Sequence, residues 1–439
     1  MTVVAVTGAS SQAHAQVIPL FSELVSPPWN SQRVFERTPL PQLDDPASTE
    51  PPAPEDTPVR TRQHPGYEPV GIRSGPWMLN PAIAAGVLYD SNVFSSNTSR
   101  QSDLAAVVEP SLRVRSLWDK HGMDLRFGVQ STHYSKNSGL DQTNYGMRGT
   151  AWYDVSPDLA VLTAFQAAHL NEGVGTLASP ANAVQPTPYD LLSGDITVRK
   201  QLNRWSVSVG GGVDSYNFGS TRALDGTIIR QDARDGQIYA VHGRTDYAFS
   251  PGLGWFASVE YNQRELRGTA TQSLDSRGFR ALTGVNVALT RLITGEFGAG
   301  YIQQRFDDPA IGTIEGPAWR ALLTWRPTRL IDVNFKAEQI VTQTSDTSVN
   351  GVLASSFQLG ADYELLRNVI ISVAGGYEKD SFHGQPRKDQ VSTIDSRIKY
   401  LPNRYGSITL FHKYIERNSN VSTFSYDKHL VGFNATAQF

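Results

Sequence analysis

Cysteine is absent from the 439 residues of this sequence. Its absence excludes disulfide frameworks, thiolate metal sites and cysteine nucleophiles. Charge is also scarce, because Asp, Glu, Lys and Arg make up 18% of the chain, against about 25% in an average soluble domain. The net charge of -3 lacks the basic excess that marks nucleic-acid binders, so we expect no nucleic-acid partner.

Long apolar runs are missing as well. Stretches such as residues 369–373 are far shorter than the roughly 20 apolar residues of a membrane-spanning helix. This exclusion does not extend to the membrane β-barrel, because its strands carry only a weak alternation of apolar and polar residues.

The first 77 residues differ in composition from the rest. An Ala-His-Ala motif at 13–15 is a small-x-small cleavage pattern, so we expect residues 1–15 to be a truncated signal peptide. A chance motif in a flexible terminus is the alternative, since the segment lacks the basic start of a signal peptide and the first Lys or Arg is Arg33. Residues 16–77 are rich in proline, which fixes φ and removes hydrogen-bond donors. They are therefore expected to form a disordered periplasmic segment, or alternatively a tether that docks a partner.

From residue 78 onward, apolar and polar residues alternate with period two over segments of about 12 to 16 residues. In residues 123–130, Met, Leu, Phe and Val alternate with Asp, Arg, Gly and Gln. Strands of this length suit a tilted span across a bilayer, whereas strands of soluble sheets average about five or six residues. Aromatic rungs in a soluble all-β fold are the alternative.

The connections alternate in length too. Short ones such as residues 156–158 and 250–252 are separated by longer polar ones such as 171–187 and 219–233. Short periplasmic turns and longer external loops are typical of bacterial outer-membrane barrels. We therefore predict an all-β fold, a transmembrane antiparallel up-and-down β-barrel of about 18 strands over residues 78–439, surrounded by outer-membrane lipid. The first strand is expected near residues 80–94 and the last near 424–439.

The chain ends on an aromatic residue. Phe439 follows Phe433 along one face of the closing period-two segment. Such an ending looks like the signal that the bacterial barrel assembly machinery reads. We therefore expect Phe439 and Phe433 to act as an assembly signal, with that machinery as a partner.

Residues 84–94 read Ala-Ala-Gly-Val-Leu-Tyr-Asp-Ser-Asn-Val-Phe. This segment resembles the opening strand of an outer-membrane β-barrel porin family associated with exopolysaccharide loci. The regular succession of strands and turns extends the resemblance over residues 79–439. The resemblance implies a polysaccharide-export channel that works with a periplasmic polysaccharide-export protein. It carries no catalytic residues over to this chain.

If the apolar faces contact lipid, the opposite positions line the lumen. The candidate lumen-lining residues are Arg113, Arg115, Arg126, Arg148, Arg199, Arg244, Arg280, Arg320, Lys336, Asp124, Asp246, Glu260 and Asp332. Because these residues carry charges of both signs, we predict a hydrated inner surface on which the charges neutralise each other. The alternative is an arginine-enriched conduit for an acidic polymer.

Catalysis is not expected from the sequence. His133 lies near Ser131, but the Gly-x-Ser-x-Gly elbow of many hydrolases is absent. We expect no enzyme and no catalytic, cofactor or metal site. Exopolysaccharide export is the leading function, with two alternatives: a general diffusion porin for small hydrophilic solutes, and a structural or adhesive surface barrel without an open pore.

Overall fold

The computed structural model describes residues 59–60, 62, 64, 66–177, 179–180, 182–269, 272–290, 292–309, 311–342, 344 and 351–439. The expected signal peptide and residues 16–58 of the proline-rich segment lie outside these residues.

Eighteen long strands, β1 to β18, form the wall of the protein. Their bounds are Trp77–Asp90, Asp103–Ser116, Gly122–Tyr134, Gln142–Ser156, Leu159–Glu172, Thr187–Leu202, Trp205–Phe218, Gly236–Ser250, Leu253–Leu266, Ser276–Thr290, Ile293–Phe306, Thr313–Thr328, Ile331–Thr342, Val352–Leu366, Val369–Phe382, Lys388–Asn403, Gly406–Ser419 and Tyr426–Gln438. A short strand, Ile72–Ser74, pairs with the start of β1. Another small pair, Thr221–Arg222 and Ile228–Ile229, lies in the connection between β7 and β8.

The sheet closes on itself. Each strand pairs antiparallel with its sequence neighbours, and β18 pairs with β1 from Ala82↔Gln438 to Asp90↔Leu430. At this seam, Lys428 Nζ lies 3.3 Å from Asp90 Oδ2, and neither side chain is exposed. The predicted all-β, up-and-down barrel of 18 strands is therefore confirmed. Among the described residues, no helix is long and apolar enough to cross a membrane.

The connections have the predicted alternation. Tight turns such as residues 157–158, 203–204 and 251–252 alternate with longer loops such as 91–102, 173–186 and 219–235. Asn203 has a φ of 52° in its turn, a left-handed conformation that asparagine tolerates better than most residues. By the usual layout of outer-membrane barrels, the tight turns are periplasmic and the longer loops extracellular.

The outer face is apolar and exposed. Side chains such as Leu192, Val241 and Leu359 are more than half exposed along the middle of the strands. Exposed aromatic residues form two belts. The belt near the extracellular ends comprises Tyr89, Tyr145, Tyr239, Tyr261, Tyr301 and Tyr377, and the belt near the periplasmic turns comprises Tyr153, Trp205, Phe249, Trp325, Tyr400 and Phe439. Two such girdles flanking an apolar band are typical of membrane barrels.

Candidate channel interior

The 13 predicted lumen residues all lie on the face opposite the exposed apolar one, at alternating positions of β2, β3, β4, β6, β8, β9, β10, β12 and β13. This face is the interior of the ring. One contact demonstrates it, because Arg244 Nη2 of β8 lies 2.8 Å from Glu296 Oε2 of β11, three strands away. Side chains of strands so far apart meet only on the concave side of a closed sheet.

Several predicted residues pair with each other on β2 and β3. Arg113 Nε donates to Asp124 Oδ2 at 2.8 Å, and Arg126 Nε lies 3.1 Å from Asp124 Oδ1. Arg115 stands directly opposite Asp124 in the strand register and is exposed. Three arginines thus surround one carboxylate, which leaves a local excess of positive charge near the periplasmic end.

A second network crosses the neighbouring wall. Arg244 Nη2 lies 2.7 Å from Asp246 Oδ1 and also reaches Glu296. Arg320 Nε lies 3.9 Å from the same glutamate. Four charges of two signs are brought together, so this part of the wall is electrically balanced.

The remaining predicted residues are more dispersed. Arg280 Nε lies 2.9 Å from Glu260 Oε2, and the Arg280 side chain is 2% exposed. Lys336 pairs with Glu338 at 2.9 Å, and Asp332 lies 3.3 Å from Arg326. Arg148 and Arg199 lie on the same inner face, on β4 and β6.

The loop at residues 173–186, which the structure describes at 173–177, 179–180 and 182–186, crosses the interior. It leaves β5, and Leu177 packs with Val352 of β14 and Phe382 of β15. Because β14 lies nine strands from β5 in a ring of eighteen, this contact is on the opposite wall. The loop is also fixed by hydrogen bonds, from Tyr426 Oη to the Gly175 carbonyl at 2.9 Å and from Thr344 Oγ1 to the Leu177 carbonyl at 3.1 Å. We call this segment the crossing loop.

The extracellular half of the interior contains apolar clusters that the sequence did not predict. One cluster joins Leu88, Phe411 and Ile415 of the wall with Val174 of the crossing loop. Another lines β5 to β8 with residues such as Leu170 and Ile238. Apolar residues on the inner face therefore provide the surface against which the loop packs.

The periplasmic mouth receives part of the N-terminal segment. Val59 is fully buried, and its backbone N–H donates to Asp332 Oδ2. Arg62 Nη1 lies 3.3 Å from Glu364 Oε2, and Arg60 Nε lies 3.9 Å from Asp362 Oδ1. The N-terminal segment thus covers three acidic side chains, those of Asp332 on β13 and of Asp362 and Glu364 on β14.

Several buried arginines were not predicted from the sequence, and Arg234 and Arg264 are two of them. Arg234, in the β7–β8 loop, donates to both carboxylate oxygens of Glu172 at 3.1 Å. Arg264 of β9 is 1% exposed, and none of its guanidinium nitrogens has a hydrogen-bond partner among the described residues. Arg264 lies four positions from the predicted Glu260 and therefore on the same face of β9. This even spacing could have identified it as an inner residue. Such a guanidinium can donate to a carboxylate-bearing solute.

Of the two residues expected to act as an assembly signal, Phe433 lies on the outer face of β18 and Phe439 lies just beyond its end. Phe433 is 43% exposed and Phe439 is 47% exposed. The Phe439 ring centroid lies 6.1 Å from that of Tyr405. Within the described ranges, no group of three or more His, Asp or Glu side chains is placed to hold a metal ion.

Comparison with known proteins places the chain in a family. Solved structures with a similar fold include OpdL of Pseudomonas aeruginosa, with a TM-score of 0.44 and 13% identity over 83% of this chain and 99% of that one. OccAB4 of Acinetobacter baumannii has a TM-score of 0.45 and 12% identity over 86% and 100% of the two chains. These likenesses are too distant to carry an argument about function. The chain matches no curated protein in sequence.

The family model is the informative match. The model described as "Putative beta-barrel porin 2" matches residues 64–439, which include all eighteen strands. The exposed apolar band and the two aromatic belts agree with a place in the bacterial outer membrane. The chain belongs to this family of outer-membrane β-barrel porins.

Proposed function

We propose that the protein is a passive channel for small hydrophilic solutes. The crossing loop carries this proposal, because a segment fixed to the opposite wall narrows the passage between β5 and β14. A barrel of 18 strands has room for an aqueous lumen, and a loop across it limits the size of what passes. Exopolysaccharide export, the function implied by resemblance, is less favoured because a polymer needs a wide continuous path.

The charges on the wall support weak selectivity. Most inner charges described above lie in pairs of opposite sign, such as Arg280 with Glu260 and Lys336 with Glu338. Paired charges hydrate a surface but produce little net field. The group around Asp124 is one exception, with its local excess of arginine, and the buried Arg264 is another.

Two measurements test the proposal. One is conductance in planar bilayers, and the other is the permeation of glucose, raffinose and dextran into proteoliposomes. The wild-type chain is expected to conduct and to admit glucose but exclude dextran. Replacement of residues 174–185 by Gly-Ser-Gly is expected to raise conductance and the size limit. Deletion of 224–226, a turn in which Leu224 is 84% exposed, is the matched control and should change neither.

Other outcomes would favour the alternatives. Dextran passage through the wild-type protein would support export of a polymer. A folded barrel without conductance would support a structural or adhesive surface protein.

We also propose that the barrel assembly machinery recognises the C-terminal strand through Phe439 and Phe433. Phe439→Ala should lower the amount of folded barrel in the outer membrane, whereas Gln438→Ala should not. Equal amounts of the two variants would contradict this role. A periplasmic polysaccharide-export protein remains a proposed partner only for the export alternative, and co-purification from an export-competent cell would test it.

A further inference from the structure

A serine and a histidine on the outer face of β3 lie in line with an aspartate that directly precedes β4. Ser131 Oγ lies 3.0 Å from His133 Nε2, and His133 Nδ1 lies 3.2 Å from Asp141 Oδ2. We propose that these residues form a hydrolase site that cleaves acyl esters of lipids in the outer leaflet. Ser131 is its nucleophile, His133 its base, and Asp141 the residue that positions the histidine.

Strand geometry explains how the first two residues meet. Side chains two positions apart project from the same face of a strand, and the odd positions of β3 face outward, as the exposed Phe127 and Val129 show. Ser131 and His133 continue this outward row towards the extracellular end at Tyr134. A Gly-x-Ser-x-Gly elbow is not needed, because such arrays are defined by geometry and not by sequence position.

The aspartate is held from two sides. A short 3-10 turn, Ser138–Leu140, precedes Asp141, and Leu140 is buried in the inner apolar cluster. The backbone N–H of Tyr134 donates to Asp141 Oδ1 at 2.7 Å. This leaves Oδ2 directed at His133 Nδ1. The aspartate therefore favours the tautomer in which Nδ1 carries the proton and Nε2 accepts from the serine hydroxyl.

A further hydroxyl lies beside the nucleophile. Thr143 of β4 is directly opposite Ser131 in the register, and its Oγ1 lies 3.0 Å from Ser131 Oγ. From this position its O–H can donate to the oxygen that becomes negative when the ester carbonyl is attacked.

The surroundings suit a lipid substrate. The His133 side chain is 62% exposed. Ser131 lies opposite the exposed Val108 of β2, and the exposed Tyr145 of β4 is nearby. The array lies just below the extracellular end of the strand, at the level of the tyrosine belt. Aromatic belts mark the boundary between hydrocarbon and head groups, and acyl ester carbonyls of membrane lipids lie at that depth.

The reaction needs only water as a second reactant. Ser131 Oγ forms a bond with the ester carbonyl carbon while its proton passes to His133 Nε2. Collapse of the tetrahedral intermediate breaks the carbon–oxygen bond of the ester, and the departing alcohol oxygen takes that proton. Water then attacks the acyl-serine with His133 as base, releasing a fatty acid and restoring the hydroxyl.

Two measurements on the full-length folded barrel test the proposal. A fluorophosphonate probe followed by peptide mass spectrometry should label Ser131, and phosphatidylethanolamine in mixed micelles should release free fatty acid. Ser131→Ala and His133→Ala should lower fatty-acid release by at least about 100-fold. His169→Ala is the matched control, because His169 pairs with Asp190 at 2.7 Å on the same outer face, and it should retain full release.

Asp141 needs a readout beyond loss of activity. Asp141→Asn should lower kcat with little change in KM, and Asp141→Glu should restore part of the kcat. Unlabelled Ser131 in a barrel that conducts normally, or equal fatty-acid release by wild type and Ser131→Ala, would overturn the proposal. Hydrolysis of a soluble short-chain ester without lipid turnover would overturn the assignment of a lipid substrate.

Discussion

Arg234 donates two hydrogen bonds of 3.1 Å to the carboxylate of Glu172, and both side chains are almost completely buried. The guanidinium also lies 4.0 Å from the centre of the Phe218 ring. Burial lowers the pKa of Arg234, while the Glu172 carboxylate opposes that shift. This pair attaches the β7–β8 loop to the inner wall at the extracellular end of β5.

Removing the arginine should destabilise the barrel strongly. Arg234→Ala leaves a buried carboxylate without its partner, which costs about 3 to 5 kcal/mol of unfolding free energy. Arg230→Ala is the control, since Arg230 pairs with Asp232 at 3.1 Å but is 73% exposed, and it should cost about 1 kcal/mol or less. Unfolding in denaturant, followed by gel mobility, measures both. Similar losses in the two variants would contradict the structural role of the buried pair.

Gly175 offers a way to displace the crossing loop without shortening it. Its φ is +79°, and an added Cβ would lie 2.2 Å from Ser95 Cβ. Gly175→Ala should therefore push the loop from the wall and change single-channel conductance by about a factor of two. Gly226→Ala is matched in backbone conformation, with φ +87° and open space around the new Cβ. If both variants conduct alike, the crossing loop does not define the passage.

The arginine excess around Asp124 predicts a small anion preference. Arg115→Gln combined with Arg126→Gln should shift the chloride-to-potassium permeability ratio down by about twofold to threefold, as expected for partly screened charges. Asp124→Asn should shift it the other way. Reversal potentials in a potassium chloride gradient measure both changes. A shift of the same sign in the two variants would show that these residues do not face the conducting path.

The N-terminal contacts predict protection of residue 59. The chain has no cysteine, so Val59→Cys introduces a unique thiol at a fully buried site. Adding Arg60→Ala and Arg62→Ala removes the pairs with Asp362 and Glu364 and should speed maleimide labelling by about tenfold. Ile72→Cys, at a position 46% exposed, should label quickly in either background. Unchanged labelling at residue 59 would show that the ion pairs do not hold the segment.

The barrel wall could be predicted because one pattern carries three kinds of information. Alternation with period two identifies a segment as a strand, shows which residues share a face, and gives the length of the strand. Residues 123–130 show this, since they lie within β3 with Phe127 and Val129 outside. The end of β1 was less predictable. The strand was expected to continue to residue 94 but ends at Asp90, because the side chains of Asp90 and Asn92 accept the backbone N–H groups of Asn92 and Ser96. Such local bonds compete with strand pairing.

The interior could be predicted only in part. Parity places Arg244 on the same face as Asp246 and Glu296, which it contacts, but it does not say that a loop will cover the wall. The Tyr426 bond to Gly175 joins residues 251 positions apart, and no local pattern encodes that contact. Inner apolar residues such as Leu170 and Ile238 are equally hidden, since alternation cannot identify the lipid side when both faces are apolar.

The seam between β1 and β18 has a consequence for biogenesis. Lys428 and Asp90 are 338 positions apart, so the ring cannot be sealed until nearly the whole chain has left the ribosome. Until then the first strand has an open edge, and open edges invite pairing with other chains. Closure of the ring is therefore a single late event in the assembly of the barrel, and the edge of β1 stays open until it occurs.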